Sequence, residues 1–476
     1  MLKRKLDCID DTFISDCEKK FDSDPLNKIA KNAINSMGSM FSTMNSERVN
    51  EISHLFLNSV KKKHVRATNQ GASGRCWMFA GLNIFRHLMI NCLDLEQFEF
   101  SEVYLFFWDK FERANSYIKW FIENPQQKPG DKPYEYMLTN YMSDGGWWNT
   151  FSNLVEKYGL IPQSAMKETY QSDDSEEMNK IIKERLDYCI NIMRTRRDKM
   201  SADDLENLRK ETLNYIYDIL VKFLGKPPKS FSWHLAQECD DGGNSIITKL
   251  TPQKFYNLIN EEIDINSDFV VLSNIPMKEF KYYTNYRILN TNNVCEGKLC
   301  NIFNVPINEM VRYAIKSLSS GVAVWFAADV NKCFNWYHSC LDDKLFDNKD
   351  IFGNIEKFDK GDRLLMHDIE SNHAMALTGF NLDDRGRPTN WQVENSWGYC
   401  DRDTPGLDGY LNMSHSWFEK YVIQIVVYKK FLSRTLQTKL NSEPIEINPW
   451  DSVAPALQVR GVKIPEKYLS TMSRKI

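Results

Sequence analysis

The chain changes texture once, and that change limits its fold more than any other feature. Up to residue 224 its long apolar stretches recur at helical spacing; from about residue 267 they gather in short runs of strand type. Residues 24–60 read as helical, with Leu26, Ile29, Ile34 and Met37 among polar neighbours, and "EVYLFFWDKFERANSYIKWFI" (102–122) has the same period. "DGGWWNTFSNLVEKYGLIP" (144–162) reads as a turn, a helix and a Gly-then-Pro stop. The later runs are "SDFVVLSN", "GVAVWFAADV", "NHAMALTGFNL", "NWQVENSW" and "YVIQIVVYKK". Helices first and strands later predict an α+β architecture, a helical half facing a β half.

Two further segments stand out. Residues 172–224 carry two apolar stripes at helical spacing: Met178, Ile181, Ile182, Leu186, Cys189, Ile190 and Met193, then Leu205, Leu208, Leu213, Ile216, Ile219, Leu220 and Phe223. Both read as helix-packing surfaces. After residue 436, Pro444, Pro449, Pro455 and Pro465 suit an extended arm more than a packed domain.

Composition excludes several classes. The chain has 476 residues, 42% of them hydrophobic, so an ample core is available; a net charge of -4 gives no general affinity for nucleic acid. "KKKHVR" (61–66) either lines an anion-attracting channel or is a solvated basic turn, and the second reading is preferred. The start, "MLKRKLDCIDDTFISDCEKKF", has no apolar run behind it, so no secretory signal is expected. Runs such as 321–330 are of strand length and too short to cross a bilayer. Eleven dispersed cysteines without a CxxC pair argue against a disulfide framework and a zinc ribbon, and for a reducing compartment, the cytosol or the nucleus, of which the cytoplasm is expected. No Walker loop, HExxH or dinucleotide fingerprint is present, and Cys295 and Cys300 lack a second pair; no metal or cofactor is expected.

The chemistry concentrates in "NQGASGRCWMFAGLNIFRHL" (69–88). "GASG" resists helix whereas the residues from Cys76 onward favour it, so Cys76 should stand at a helix N-terminus. Partial positive charge there favours the thiolate, the nucleophilic form. Gly71 and Gly74 let backbone approach a substrate carbonyl. Acyl transfer also needs oxyanion donors, which the Gln70 amide and the Cys76 N–H would supply. A base and its orienter are still required. "SNHAMALTGFNL" offers His373 at the start of a strand. "WQVENSWGYC" offers Asn395 to hold the second ring N–H and Trp397 to shield that bond.

Together "NQGASGRCWMFA", "NHAM" and "VENSWG" resemble the papain-like cysteine peptidases, and "SGRCW" points to their bleomycin hydrolase and aminopeptidase C branch. The resemblance extends through "SEVYLFFWDKFERAN", "AIKSLSSGVAVWFAADV" and "NPWDSVAPAL". It implies a helical half packed on a β-barrel-like half, with Cys76 as nucleophile, His373 as base, Asn395 as orienter and Gln70 in the oxyanion hole. The gap from Cys76 to His373 is 297 residues, against roughly 130–150 in shorter papain-type enzymes, which fits inserted helices. The expected organisation is an N-terminal helical segment (1–60), a papain-like helical half (61–165) and a mainly helical insertion (166–266). A β half (267–435) and a C-terminal arm with a basic extension (436–476) follow. The resemblance further implies aminopeptidase action on peptides and a cytosolic homohexamer.

The tail departs from that pattern. Nineteen residues, "QVRGVKIPEKYLSTMSRKI", follow "NPWDSVAPAL", with Arg460, Lys463, Lys467, Arg474 and Lys475 against Glu466 alone. A basic segment cannot hold a substrate ammonium as a terminal carboxylate would. Self-trimming near Leu457, displacement with endopeptidase action, inhibition of the cleft and a tail without a role all stay open. A non-catalytic, nucleic-acid-binding scaffold is the alternative from another class, and the intact Cys76, His373, Asn395 and Gln70 speak against it.

Overall fold

The computed structural model describes residues 9–60, 65–236, 244–259, 264–335, 337–353, 358–398, 409–451 and 453–461. Its centre is a helix, Cys76–Leu93, that is apolar on nearly all sides and buried accordingly. Around it stand the helices Glu102–Glu123 and Trp148–Tyr158. Ser101 caps the first through the Tyr104 N–H, and Gly159 at φ 70 ends the second.

The strands are β1 (Asn58–Ser59), β2 (Phe231–Ala236), β3 (Asn244–Leu250), β4 (Phe269–Ser273), β5 (Thr284–Ile288), β6 (Cys300–Asn304) and β7 (Val324–Ala328). After them come β8 (Phe334–Asn335), β9 (Cys340–Leu341), β10 (His373–Leu382), β11 (Pro388–Glu394), β12 (Tyr410–Ser414), β13 (Val422–Tyr428) and β14 (Ile445–Ile447). One sheet runs β14-β5-β6-β4-β13-β7-β10-β11-β12-β9-β8, with β1 on β10; β2 and β3 form a separate hairpin. At its middle β7 is buried throughout and lies between β13 and β10. The Cys76–Leu93 and Ile307–Ser319 helices both pack on β7 and β10. That is the expected pairing of a helical half with a β half.

The two stripes of residues 172–224 form the helices Glu176–Arg196 and Ala202–Leu224, which pack on each other and on Glu102–Glu123. Met178, Ile182, Leu186, Cys189 and Ile216 are fully or nearly fully buried there. Side chains of this size contribute roughly 1.5–3 kcal/mol each on burial.

Two expectations need correction. Residues 24–60 are not one helical stretch: helices Pro25–Met37, Ser39–Ser42 and Ser46–Glu51 are followed by non-helical chain and β1. The free edge of β10 takes up that backbone, as when the Val60 N–H donates to Thr378 O at 2.8 Å. The segment 166–266, expected to be mainly helical, also carries the β2–β3 hairpin between the helices Ala202–Leu224 and Pro252–Ile259. Nor is the arm merely extended. It contains helices Arg434–Leu440 and Ala454–Leu457, β14 pairs with β5, and Val453, Ala454, Ala456, Leu457 and Val459 are buried. Pro455 occupies the first turn of its short helix, where no backbone donor is missed. Most of "KKKHVR" (61–64) and of the basic extension (462–476) lies outside the described residues.

Candidate active site

Cys76 is the first residue of its helix and fully buried. His373 is the first residue of β10, and Asn395 directly follows the last residue of β11. These two strands are antiparallel, with Ala376 opposite Glu394, so the start of one lies beside the end of the other. His373 Nε2 meets Asn395 Oδ1 at 2.8 Å. The Ser396 N–H also donates to that oxygen, at 2.9 Å. Only an oxygen accepts from a backbone N–H, so the amide orientation is fixed and His373 carries its proton on Nε2. Nδ1 is left buried with no hydrogen-bond partner. The next residue, Ala374, donates its backbone N–H to Cys76 Sγ at 3.5 Å. Trp397 lies over the imidazole, ring centroids 4.9 Å apart.

Gln70 is equally buried, and its amide is held at both ends. Ser396 Oγ donates to Oε1 at 2.6 Å, and Nε2 donates to Ser73 O at 2.7 Å. One amide proton is therefore committed to the loop itself, which leaves the other for a substrate oxygen. Backbone pairing joins the two loops: the Gln70 N–H donates to Ser396 O at 2.8 Å and the Gly398 N–H to Thr68 O at 2.9 Å.

The thiol and the imidazole share an enclosed site. Burial pushes the Cys76 thiol up to about 12, against the pull of the Ala374, Trp77 and Cys76 N–H groups. Burial also drives His373 down to about 4, against its bond to Asn395. Desolvation thus works against the charged form of each group, and for Cys76 it opposes the thiolate that a helix N-terminus favours.

Sequence reasoning missed the wall opposite. Asp144 accepts from the Gly74 N–H at 3.3 Å, from Lys110 Nζ at 2.6 Å and from Asn179 Nδ2 at 2.7 Å, and Ser175 also donates to it. Its carbonyl takes the Trp77 indole N–H at 2.7 Å. Burial would raise this carboxyl, but the Lys110 ammonium and the hydrogen bonds hold it well below the usual carboxylate range. Arg75 forks onto Glu168 at 2.8 and 3.1 Å and anchors the loop from the other side. The "DGG" triplet (144–146) is the one local signal of this wall, and by itself it predicts no more than a turn before a helix.

The tail lies along this wall. The Gly146 N–H donates to Val459 O at 2.9 Å within an antiparallel bridge. The Ser371 N–H donates to Ala456 O at 2.6 Å, and Gln424 Nε2 to Leu457 O at 2.7 Å. A Cβ on Gly145 would come within 2.3 Å of Val459 O, and one on Gly461 within 2.3 Å of Gly74 O. The slot admits the tail only because glycines line it. Behind β11, Glu394 pairs with Arg86 at 3.0 Å and His87 at 2.6 Å, both on the Cys76 helix.

Known proteins resemble this chain over most of its length. Residues 8–454 match the model of the Peptidase C1-like family. Human bleomycin hydrolase is 32% identical over 439 residues, 91% of this chain and 95% of that protein. Aminopeptidase C of Listeria monocytogenes is 34% identical over 81% of this chain and 85% of its own. Aminopeptidase G of Lactobacillus delbrueckii subsp. lactis is also 34% identical, over 93% and 98%. The crystal structure of PepW from Lactobacillus rhamnosis superposes with a TM-score of 0.88 at 31% identity, covering 94% of this chain and 98% of that one.

Proposed function

This chain belongs to the Peptidase C1-like family, and from that premise we propose how it acts as a cysteine aminopeptidase. Cys76 is the nucleophile and His373 the base. The observation that carries this is the imidazole itself: Nε2 is tied to Asn395, while Nδ1 is buried and open beside the strand that touches the sulfur. As Sγ attacks the peptide carbonyl, its proton passes to Nδ1, and the Nε2–H···Asn395 bond steadies the imidazolium that forms. The free Gln70 amide proton and the Cys76 N–H take the developing oxyanion. The imidazolium then gives its proton to the leaving amine, and water drawn against His373 cleaves the thioester. Trp397 keeps solvent off the His373–Asn395 bond.

Three finer readings go with this one. Residues 166–266 serve as an insertion between the two peptidase halves. The chain forms a homohexamer, supported by the apolar residues Phe13, Phe21, Leu26 and Ile29, which a single copy leaves exposed on its N-terminal helices. It works in the cytoplasm, a reading that the free thiols of the described cysteines support.

The seated tail favours a second reading, in which the cleft of the full-length chain is occupied until its end is trimmed or displaced. A thiol-reactive epoxide tests the first proposal. Labelling should vanish in Cys76→Ala and fall sharply in His373→Ala; undiminished labelling of either would sink it. Kinetics on free and N-acetylated peptides, with the mass of the purified chain, test the second. An untrimmed chain that turns over free-amine peptides rapidly would remove it.

A further inference from the structure

The tail marks a subsite whose occupant nothing above assigns. Val459 is held to Gly146 by a backbone hydrogen bond, a contact that an extended peptide displacing the tail can make whatever its side chains. In such pairing the main chain supplies affinity and the flanking side chains supply selectivity. The next residue is Arg460, and its Nε lies 3.4 Å from Glu370 Oε2.

Glu370 is well placed to read charge. It stands three residues before His373, on the same wall as Ser371, which binds the tail at Ala456. Its backbone is fixed: the Glu370 N–H donates to Asp329 Oδ2 at 3.3 Å, and Asn372 Nδ2 donates to the other oxygen of the same carboxylate at 2.5 Å. Lys332 and Arg363 are both engaged by Asp368, two positions before Glu370, at 2.9 and 2.7 Å. The Glu370 side chain itself is partly exposed, as a group that exchanges partners must be.

We infer that Glu370 is a specificity carboxylate that binds an organic cation of the peptide substrate, and that Arg460 holds that place in the unliganded chain. The inference rests on the peptidase reading above. The cation has two sources, the α-ammonium of an unblocked peptide or a basic side chain. Glu370 would thus supply the fixed negative charge that the basic tail of this chain cannot.

The test uses the full-length protein and four peptide amides: amino terminus free or acetylated, and lysine or norleucine ahead of the scissile bond. Glu370→Gln should raise KM about 3- to 5-fold for the cationic peptides with kcat kept, the modest size expected of a partly exposed ion pair. A rise on both free-amine peptides assigns the α-ammonium. A rise on both lysine peptides, acetylated or not, assigns the side chain. Arg460→Gln should lower KM for the same peptides, and only while Glu370 is present. KM values all within twofold of the parent, or kcat falling equally on every peptide hydrolysed, would overturn the inference and leave the peptidase reading standing. No turnover of any peptide by the parent chain would remove both.

Discussion

The backbone N–H of Ala374 reaches the sulfur of Cys76 at 3.5 Å across 298 positions of sequence. It ties the first residue of the central helix to the second residue of β10, one position from the imidazole. The site is therefore built on the packing of that helix against the middle of the sheet, and its chemistry depends on how tightly the junction excludes water.

Enclosure has a pH signature. Cys76 is pushed up to about 12, and only the thiolate reacts with iodoacetamide, so alkylation of Cys76 in the full-length chain should rise into the alkaline range. A plateau of fast alkylation near neutral pH, followed by mass spectrometry, would instead reveal a resting ion pair. For His373 the folded value, about 4, lies below the ordinary 6.5. The neutral ring is favoured by folding, so its stabilisation is complete above pH 6.5 and is lost as pH falls from 6.5 to 4. The loss amounts to about 3 kcal/mol. Urea denaturation at stepped pH should show this slope in the parent chain and its absence in His373→Gln.

Gln70 depends on Ser396 for its aim. Gln70→Ala should lower kcat on the order of 10²- to 10³-fold, the usual cost of an oxyanion donor. Ser396→Ala keeps the donor and frees its carbonyl end, so the loss should be smaller, roughly 10-fold, and confined to kcat. A Ser396→Ala enzyme with normal kcat would show that the Ser73 contact alone orients the amide.

The tail seat depends on Gly145. A methyl group there meets Val459 O at 2.3 Å, so Gly145→Ala should expel the tail. Limited proteolysis should then remove residues beyond Leu457 faster than in the parent chain. Leu457→Ala loosens the same segment by a different route, the loss of a fully buried side chain, at about 2–5 kcal/mol. Equal proteolysis rates in all three chains would contradict the docked arm.

Glu394 holds the Cys76 helix to β11 through Arg86 and His87, with all three groups nearly or fully buried. Glu394→Ala leaves a buried guanidinium without its counter-charge and should destabilise the chain by about 3–5 kcal/mol. Thermal or denaturant unfolding measures this directly; a change under 1 kcal/mol would mean that water or another group replaces the carboxylate.

Much of this protein was written locally. Cys76 after "GASG", His373 at the head of an apolar strand and Asn395 at the close of another were legible because helix and strand periods, and the glycines that interrupt them, act over a few residues. The helical stripes of 172–224 and the α+β order were legible for the same reason. Tertiary structure decided the rest. The register of β10 on β11 brings His373 to Asn395, and the pairing of residues 68–70 with 396–398 hands Gln70 to Ser396. Asp144 and the glycines beside it gain meaning only as the wall that receives Val459. The upward push on Cys76 and the downward push on His373 follow from burial by segments hundreds of residues away. Local sequence sets what a residue can do, whereas its solvent and its partners come from chain that only folding brings near.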